Sequence, residues 1–112
     1  MIFTKDMQCD ELREHMRGGN GTVKLTALCP QLPANLRLFS RITLAPGASI
    51  GEHAHENEAE LFYFLSGSAT LLDDGVRTKA AAGDVMLTAS GHSHSVINEG
   101  DEDVVILAVI VK

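Results

Sequence analysis

Two cysteines in 112 residues are too few, and too irregularly placed, for a disulfide framework or a zinc ribbon. Cys9 and Cys29 are therefore read as reduced, mostly buried thiols. Positive charge is also scarce. Nine Lys and Arg face fifteen Asp and Glu, for a net charge of −6. An acidic chain with no basic patch argues against nucleic acid and against anionic membranes as partners. Long apolar runs are missing too. The longest, Val104 to Val111, is far too short to cross a bilayer as a helix. The opening residues MIFTKDMQCDELREH have no apolar stretch behind a basic start, so no signal peptide is visible and a cytoplasmic protein is the expectation. No linker, low-complexity tract or 20–50-residue repeat interrupts the chain. The length suits one domain over 1–112, with an N-terminal extension 1–21 and a barrel from about 22 to 112.

Helical segments are nearly absent. Only Asp10 to Arg17 has helical composition, with Asp10 as N-cap and Gly18-Gly19 as the stop, which predicts a short N-terminal helix carrying His15 on its surface. The remainder reads as strands. Thr22 to Leu28 alternates and ends at Pro30 and Pro33. Leu36 to Leu44 places Leu36, Leu38, Ile42 and Leu44 on one parity. Glu60 to Leu65 is rich in aromatics. Ala69 to Leu72 and Val76 to Lys79 flank Asp73-Asp74-Gly75, a hairpin signal. Val85 to Thr88 and His94 to Asn98 follow. Val104 to Val111 is apolar on both parities, so it is buried on both faces or used in a subunit contact. Short strands with turn signals at near-regular spacing, and no crossover helices, predict an all-β sandwich or barrel.

Chemistry concentrates in GASIGEHAHENEAELFYFLSG, Gly47 to Gly67. His53 and His55 are two apart, so an extended strand points both imidazoles to one side. A turn over the polar residues after them would bring Glu60 back towards the pair. His94, in GHSHSVIN, must join from a distant strand. Three imidazoles and one carboxylate suit a divalent transition metal. His92 and Glu58 are the nearest residues of the same types, but neither is taken as a ligand. Phe62 and Phe64 share the parity of Glu60 and are read first as core, while Tyr63 points the other way.

The spacing is more specific than the residue types. It reads Gly47-x5-His53-x-His55-x4-Glu60-x6-Gly67, then Gly83-x5-Ala89-x-Gly91-x2-His94-x3-Asn98. This resembles the two motifs of the cupin family over roughly half the chain. The one departure is Ala89, where cupins usually have proline. The resemblance implies a double-stranded β-helix, or jelly roll, with the two motifs facing each other inside the barrel. It implies that His53, His55, Glu60 and His94 ligate one divalent ion (manganese, iron, nickel, cobalt or zinc), that Asn98 and the four motif glycines are structural, and that the protein is a homodimer.

It also implies a metal-dependent enzyme, an oxidoreductase, lyase or isomerase of the dioxygenase, decarboxylase or sugar-isomerase kind, acting on a small oxygen-donor molecule. The alternative is a non-catalytic cupin that binds a metal or small metabolite. Fold alone does not choose. Cupins of the oxalate-decarboxylase type carry arginine three residues before the first motif histidine, where this chain has Ile50, and are usually two-domain chains. Both departures weigh against oxalate chemistry without excluding it. A second polar group inside the barrel would favour an enzyme, and Arg41 and His92 are the candidates.

Overall fold

The computed structural model describes residues 1–112. Ten strands account for most of the chain: β1 (Cys9–Glu14), β2 (Thr22–Ala27), β3 (Leu36–Leu44), β4 (Ser49–Ala54), β5 (Ala59–Ser66), β6 (Ser68–Asp73), β7 (Val76–Ala81), β8 (Val85–Thr88), β9 (Ser93–Ile97) and β10 (Val104–Val111). They form two antiparallel sheets, one of six strands ordered β1-β2-β3-β10-β5-β8 and one of four ordered β4-β9-β6-β7. The only helical pieces are 3₁₀ turns at Lys5–Met7 and Met16–Gly18. No helix is long and apolar enough to cross a membrane.

Period-two alternation explains the core. Ile42 and Leu44 of β3, Phe62 and Phe64 of β5, and Val104, Ile106 and Ala108 of β10 all face the other sheet and are buried. In β10 the even-numbered residues enter this core, while Val105, Leu107, Val109 and Val111 lie half-buried on the outer face. At the Asp73–Val76 turn both central residues, Asp74 and Gly75, have positive φ (48° and 80°), the type I′ geometry that matches strand twist.

The N-terminal helix expected over Asp10–Arg17 is not formed. Residues 9–14 are an extended edge strand paired with β2, Cys9 opposite Ala27 and Glu14 opposite Thr22. The edge of β2 offers a row of unpaired backbone groups, and satisfying it outweighs the modest helical preference of DELRE. A strand exposed all along its length keeps its charged side chains in water either way. Cys9 is consequently exposed, not buried, and both cysteines are free. His15 sits in the loop after β1, with φ 50°, and its Nδ1 lies 3.2 Å from the Gly19 carbonyl.

Asn98 is a structural residue, as the motif implies. Its side chain is buried, donates to the carbonyls of Leu44 (2.9 Å) and Glu102 (2.8 Å), and accepts from the Gly100 N–H (3.0 Å). It thereby ties the end of β3 to the β9–β10 turn. Asn98→Ala orphans the buried Leu44 carbonyl, and a loss of about 2–4 kcal/mol is expected from the penalty for unmade buried hydrogen bonds. Urea unfolding measures it, and a change below about 1 kcal/mol would show that water replaces the amide.

Candidate metal centre

The four predicted side chains converge. His53 on β4 and His94 on β9 are directly opposite each other across the strand pair. β4 carries a bulge to achieve this. Its register passes from Ile50 opposite Val96 to His53 opposite His94, so three residues on one strand match two on the other. The extra residue lets Ile50 and His53, which have opposite parity, both face the barrel interior. His55 follows the end of β4 and is fixed by backbone bonds, its N–H to His92 O (3.1 Å) and its carbonyl from Gly91 N–H (2.7 Å). The turn with Ala89 in place of proline closes through His92 N–H to Ala89 O at 3.1 Å. Glu60 comes from β5 in the other sheet, opposite Thr88.

His55 Nε2 and His94 Nε2 are 3.1 Å apart, and His94 Nε2 and His53 Nε2 are 3.2 Å apart. Glu60 Oε1 lies 3.0 Å from His55 Nε2 and 3.1 Å from His94 Nε2. All four donor atoms fall within 4.8 Å of one another. With bonds of about 2.1 Å, neighbouring donors on an octahedral ion are about 3.0 Å apart and those on a tetrahedral ion about 3.4 Å. The observed separations of 3.0 to 3.2 Å are of the size expected between donors that would share one ion.

The hydrogen bonds behind the ring explain why these nitrogens face inwards. His53 Nδ1 must donate to the Gly51 carbonyl (2.8 Å), which can only accept. His55 Nδ1 donates to the Glu58 carboxylate (3.0 Å), and His94 Nδ1 meets Thr88 Oγ1 (2.8 Å). The first two contacts spend the ring proton on the far side and leave a bare Nε2 lone pair towards the centre, and Thr88 Oγ1, which can accept as well as donate, allows the same tautomer for His94. Three lone pairs and a carboxylate oxygen at about van der Waals contact repel one another unless a cation lies between them. The residues present therefore fit a metal ion. Burial, ahead of any nearby charge, holds the His53 imidazole below the ordinary histidine range and keeps it in the neutral, ligating form. Phe62 stacks on His94, with ring centroids 4.9 Å apart, and fixes its plane.

Glu58 is no donor to the centre, in line with the sequence reading, but it is not idle. It accepts two short bonds from Arg37 (2.6 and 2.7 Å) and the one from His55. The Arg37 bond is the main reason its carboxyl is lowered to about 2. Arg37 reaches it because the β3–β10 register skips that residue, Ile110 pairing with Leu38 and Val111 with Leu36. Alternation alone would have put Arg37 on the outer face. The i, i+3 spacing of His55 and Glu58 was the available signal, since ligating histidines usually present their other nitrogen to a carboxylate or carbonyl. Glu58→Ala is expected to weaken metal affinity by roughly 10–100-fold, the usual effect of losing such a partner. Competition with a chromophoric chelator measures this, and an unchanged affinity would mean that packing alone orients His55.

A cavity of about 80 Å³ opens above the donors, walled by Leu38, Ile42, Ile50 and Phe62 and bounded by Arg13, Arg17 and Arg37. Phe62 is thus both core and cavity wall, whereas Phe64 is core only. The two polar groups proposed for the interior are elsewhere. Arg41 lies on the outer face against Gln8 (3.4 Å), and exposed His92 bonds Asp74 (2.5 Å). The arginines that do border the cavity were not legible, because two of them lie in the segment read as a helix.

The Cupin domain family model (Cupin_2) matches residues 40–110. The chain is 43% identical to the oxalate-binding protein of Thermotoga maritima, over 99% of this chain and 93% of that one. Its fold superposes on the crystal structure of a predicted oxalate decarboxylase from Thermotoga maritima with a TM-score of 0.90 and 40% identity, covering 99% and 98% of the two chains. A Cupin 2 conserved barrel domain protein from Salinispora arenicola superposes with a TM-score of 0.70 and 32% identity, over 91% and 82%. Motif spacing, two-sheet barrel, His/Glu cluster and relatives all agree, and the chain belongs to the cupin family.

Proposed function

We propose that His53, His55, Glu60 and His94 bind one divalent transition-metal ion, and that this homodimeric protein uses the ion to bind a small oxygen-donor acid, oxalate or a near relative. The convergence of four donor atoms, three of them on side chains that line a small cavity, carries this reading. Name and identity of the Thermotoga maritima relative support the ligand class. When bound, the ion would supply Lewis acidity and a template for the ligand oxygens. The chain's own residues divide the remaining work. Glu60 offsets one of the two charges of the ion, so an anionic donor is favoured over a neutral one. Apolar walls exclude water from the rest of the cavity and strengthen that preference.

Turnover is the finer reading. A metal-dependent decarboxylase, dioxygenase or isomerase would draw its chemistry from the ion. The second reading, a binding protein without turnover, is favoured by one observation. Apart from His53, His55 and Glu60, the cavity is lined only by arginines and apolar side chains, so no free carboxylate, tyrosine, lysine or histidine is placed to move a proton.

Calorimetry separates the alternatives. Oxalate should bind the metal-loaded protein at least ~10-fold more tightly than the metal-free protein, about 1.4 kcal/mol per decade. Equal binding to both forms would reject the ion as the ligand's anchor. Mass spectrometry of oxalate incubated with metal-loaded protein then distinguishes an enzyme from a binding protein.

A further inference from the structure

Three arginines line the cavity, and the metal reading uses none of them to hold a ligand. They are three of nine basic residues in a chain of net charge −6. Two are already paired. Arg37 is held by both oxygens of Glu58, and Arg13 by Glu11 at 3.0 Å. Arg17 has no ion-pair partner.

The backbone under Arg17 is seated firmly. Arg17 itself has φ 54°, a left-handed conformation uncommon for a residue with a Cβ, which persists only where the surroundings enforce it. Here they do. The 3₁₀ turn lies directly on β4, so close that a Cβ at Gly51 would come within 2.0 Å of Arg17 O, and one at Gly19 within 2.2 Å of Ser49 O. Asn20 completes the junction, its carbonyl accepting from Ser49 N–H (2.9 Å) and its N–H donating to Ser49 Oγ (2.8 Å). Glycine at 19 and 51 is what allows this approach. The turn carrying Arg17 and the strand carrying His53 are thus joined backbone to backbone.

The charges then count in a definite way. A divalent ion facing Glu60 leaves one positive charge, and the unpaired Arg17 adds a second in the lining of the same cavity of about 80 Å³. A cavity of this size admits a small molecule only. Ile42, Ile50 and Phe62 in the cavity wall give a neutral polar group nothing to bond. We propose that Arg17 is a specificity-determining residue that selects small dicarboxylates, one carboxylate meeting the metal and the other the Arg17 guanidinium. A planar fork of N–H donors matches a carboxylate in shape and charge. This rests on the reading that the metal accepts an oxygen-donor ligand.

Malonate and malonamate test it, because they match in size and differ by one charge. Cobalt(II)-loaded protein at saturating metal is titrated with each, the visible cobalt spectrum reporting ligand entry without turnover. Wild-type protein should bind malonate about 10-fold or more tightly than malonamate, the scale of one charge-assisted contact. Arg17→Gln should remove that preference by weakening malonate alone, leaving malonamate within about twofold, and Arg17→Lys should restore part of it. A wild-type ratio near one, or equal effects of Arg17→Gln on both acids, overturns the role of Arg17 and leaves the metal-ligand reading intact. A cobalt spectrum that neither acid perturbs refutes that reading, and the role of Arg17 falls with it.

Discussion

In a His94→Ala variant, affinity for a divalent ion is expected to fall by more than ~100-fold, beyond the usual cost of losing an outer-shell partner. His94 is the hub of the cluster. Its Nε2 is the atom within 3.2 Å of all three other donors, His55 at 3.1 Å, His53 at 3.2 Å and Glu60 at 3.1 Å. Removing a peripheral donor leaves a connected set, but removing this one opens the middle. Glu60→Gln is the shape-retaining comparison. It keeps the fold and loses the one negative charge, so it too should weaken the site, through electrostatics and not geometry. Thermal unfolding gives a second readout. With free metal at about 1,000 times its Kd, binding adds ~4 kcal/mol to wild-type stability, a rise on the order of 15 °C for a chain of this size. In His94→Ala at the same free metal, a 100-fold loss leaves about 1.4 kcal/mol, so the rise should shrink to roughly a third or less. Acidification should release the metal as the imidazoles protonate. His53 protonates below the ordinary histidine range, while Glu58 stays ionised down to about 2. The release therefore follows the histidines, with Glu58 still charged throughout. A His94→Ala protein that keeps wild-type affinity would refute the assignment of this residue.

Most strands were legible in the sequence because they obey one rule. In β3 the alternation of apolar and polar residues, and in β8 and β10 a short apolar run, bounded by glycine, proline or acidic turns, gave the observed limits. The rule failed where a residue leaves the alternation. The bulge in β4 brings Ile50 and His53 to the same side, and the skip at Arg37 turns a side chain from the outer face to the cavity mouth. Neither leaves a mark on a single sequence, since a bulge is a property of two paired strands. The N-terminal segment failed for another reason. Local composition favours a helix over residues 10–17, but the open edge of β2 lies beyond a turn, with Cys9 opposite Ala27 and Glu14 opposite Thr22, and cannot be weighed locally. That error hid Arg13 and Arg17 and left the cavity with too few polar groups. The donors were legible because their motif spacing encodes contacts between distant strands, which composition does not.

Wild-type protein is expected to sediment at twice its 12.0 kDa chain mass, and Leu61→Asp to return it to a single chain. The reason lies on the outer face of the six-stranded sheet. Val109, Leu61 and Leu87 stand side by side across β10, β5 and β8, and Leu107, Tyr63 and Val85 form the next row. In the single chain Val85 and Leu87 are about 60% exposed, at 62% and 60%, and Tyr63 is 44% exposed. Isolated surface leucines are ordinary, but two adjoining apolar rows form a contiguous patch of the kind that marks an interface. An antiparallel sheet face can meet a second copy of itself about a two-fold axis, and each residue then enters the contact twice. A charge at Leu61 therefore places two unpaired carboxylates in the apolar centre, where each costs several kcal/mol unless it finds a partner. Association weakened by that amount raises the dissociation constant by more than ~100-fold. Leu61 is itself 38% exposed in the single chain, so the substitution should leave the fold intact, as circular dichroism would record. Val76→Asp supplies the control, since Val76 is 66% exposed and belongs to β7 of the other sheet. The same change there should leave the dimer unaltered. A wild-type protein that sediments as one chain at micromolar concentration would remove the argument, and the apolar rows would then need another occupant.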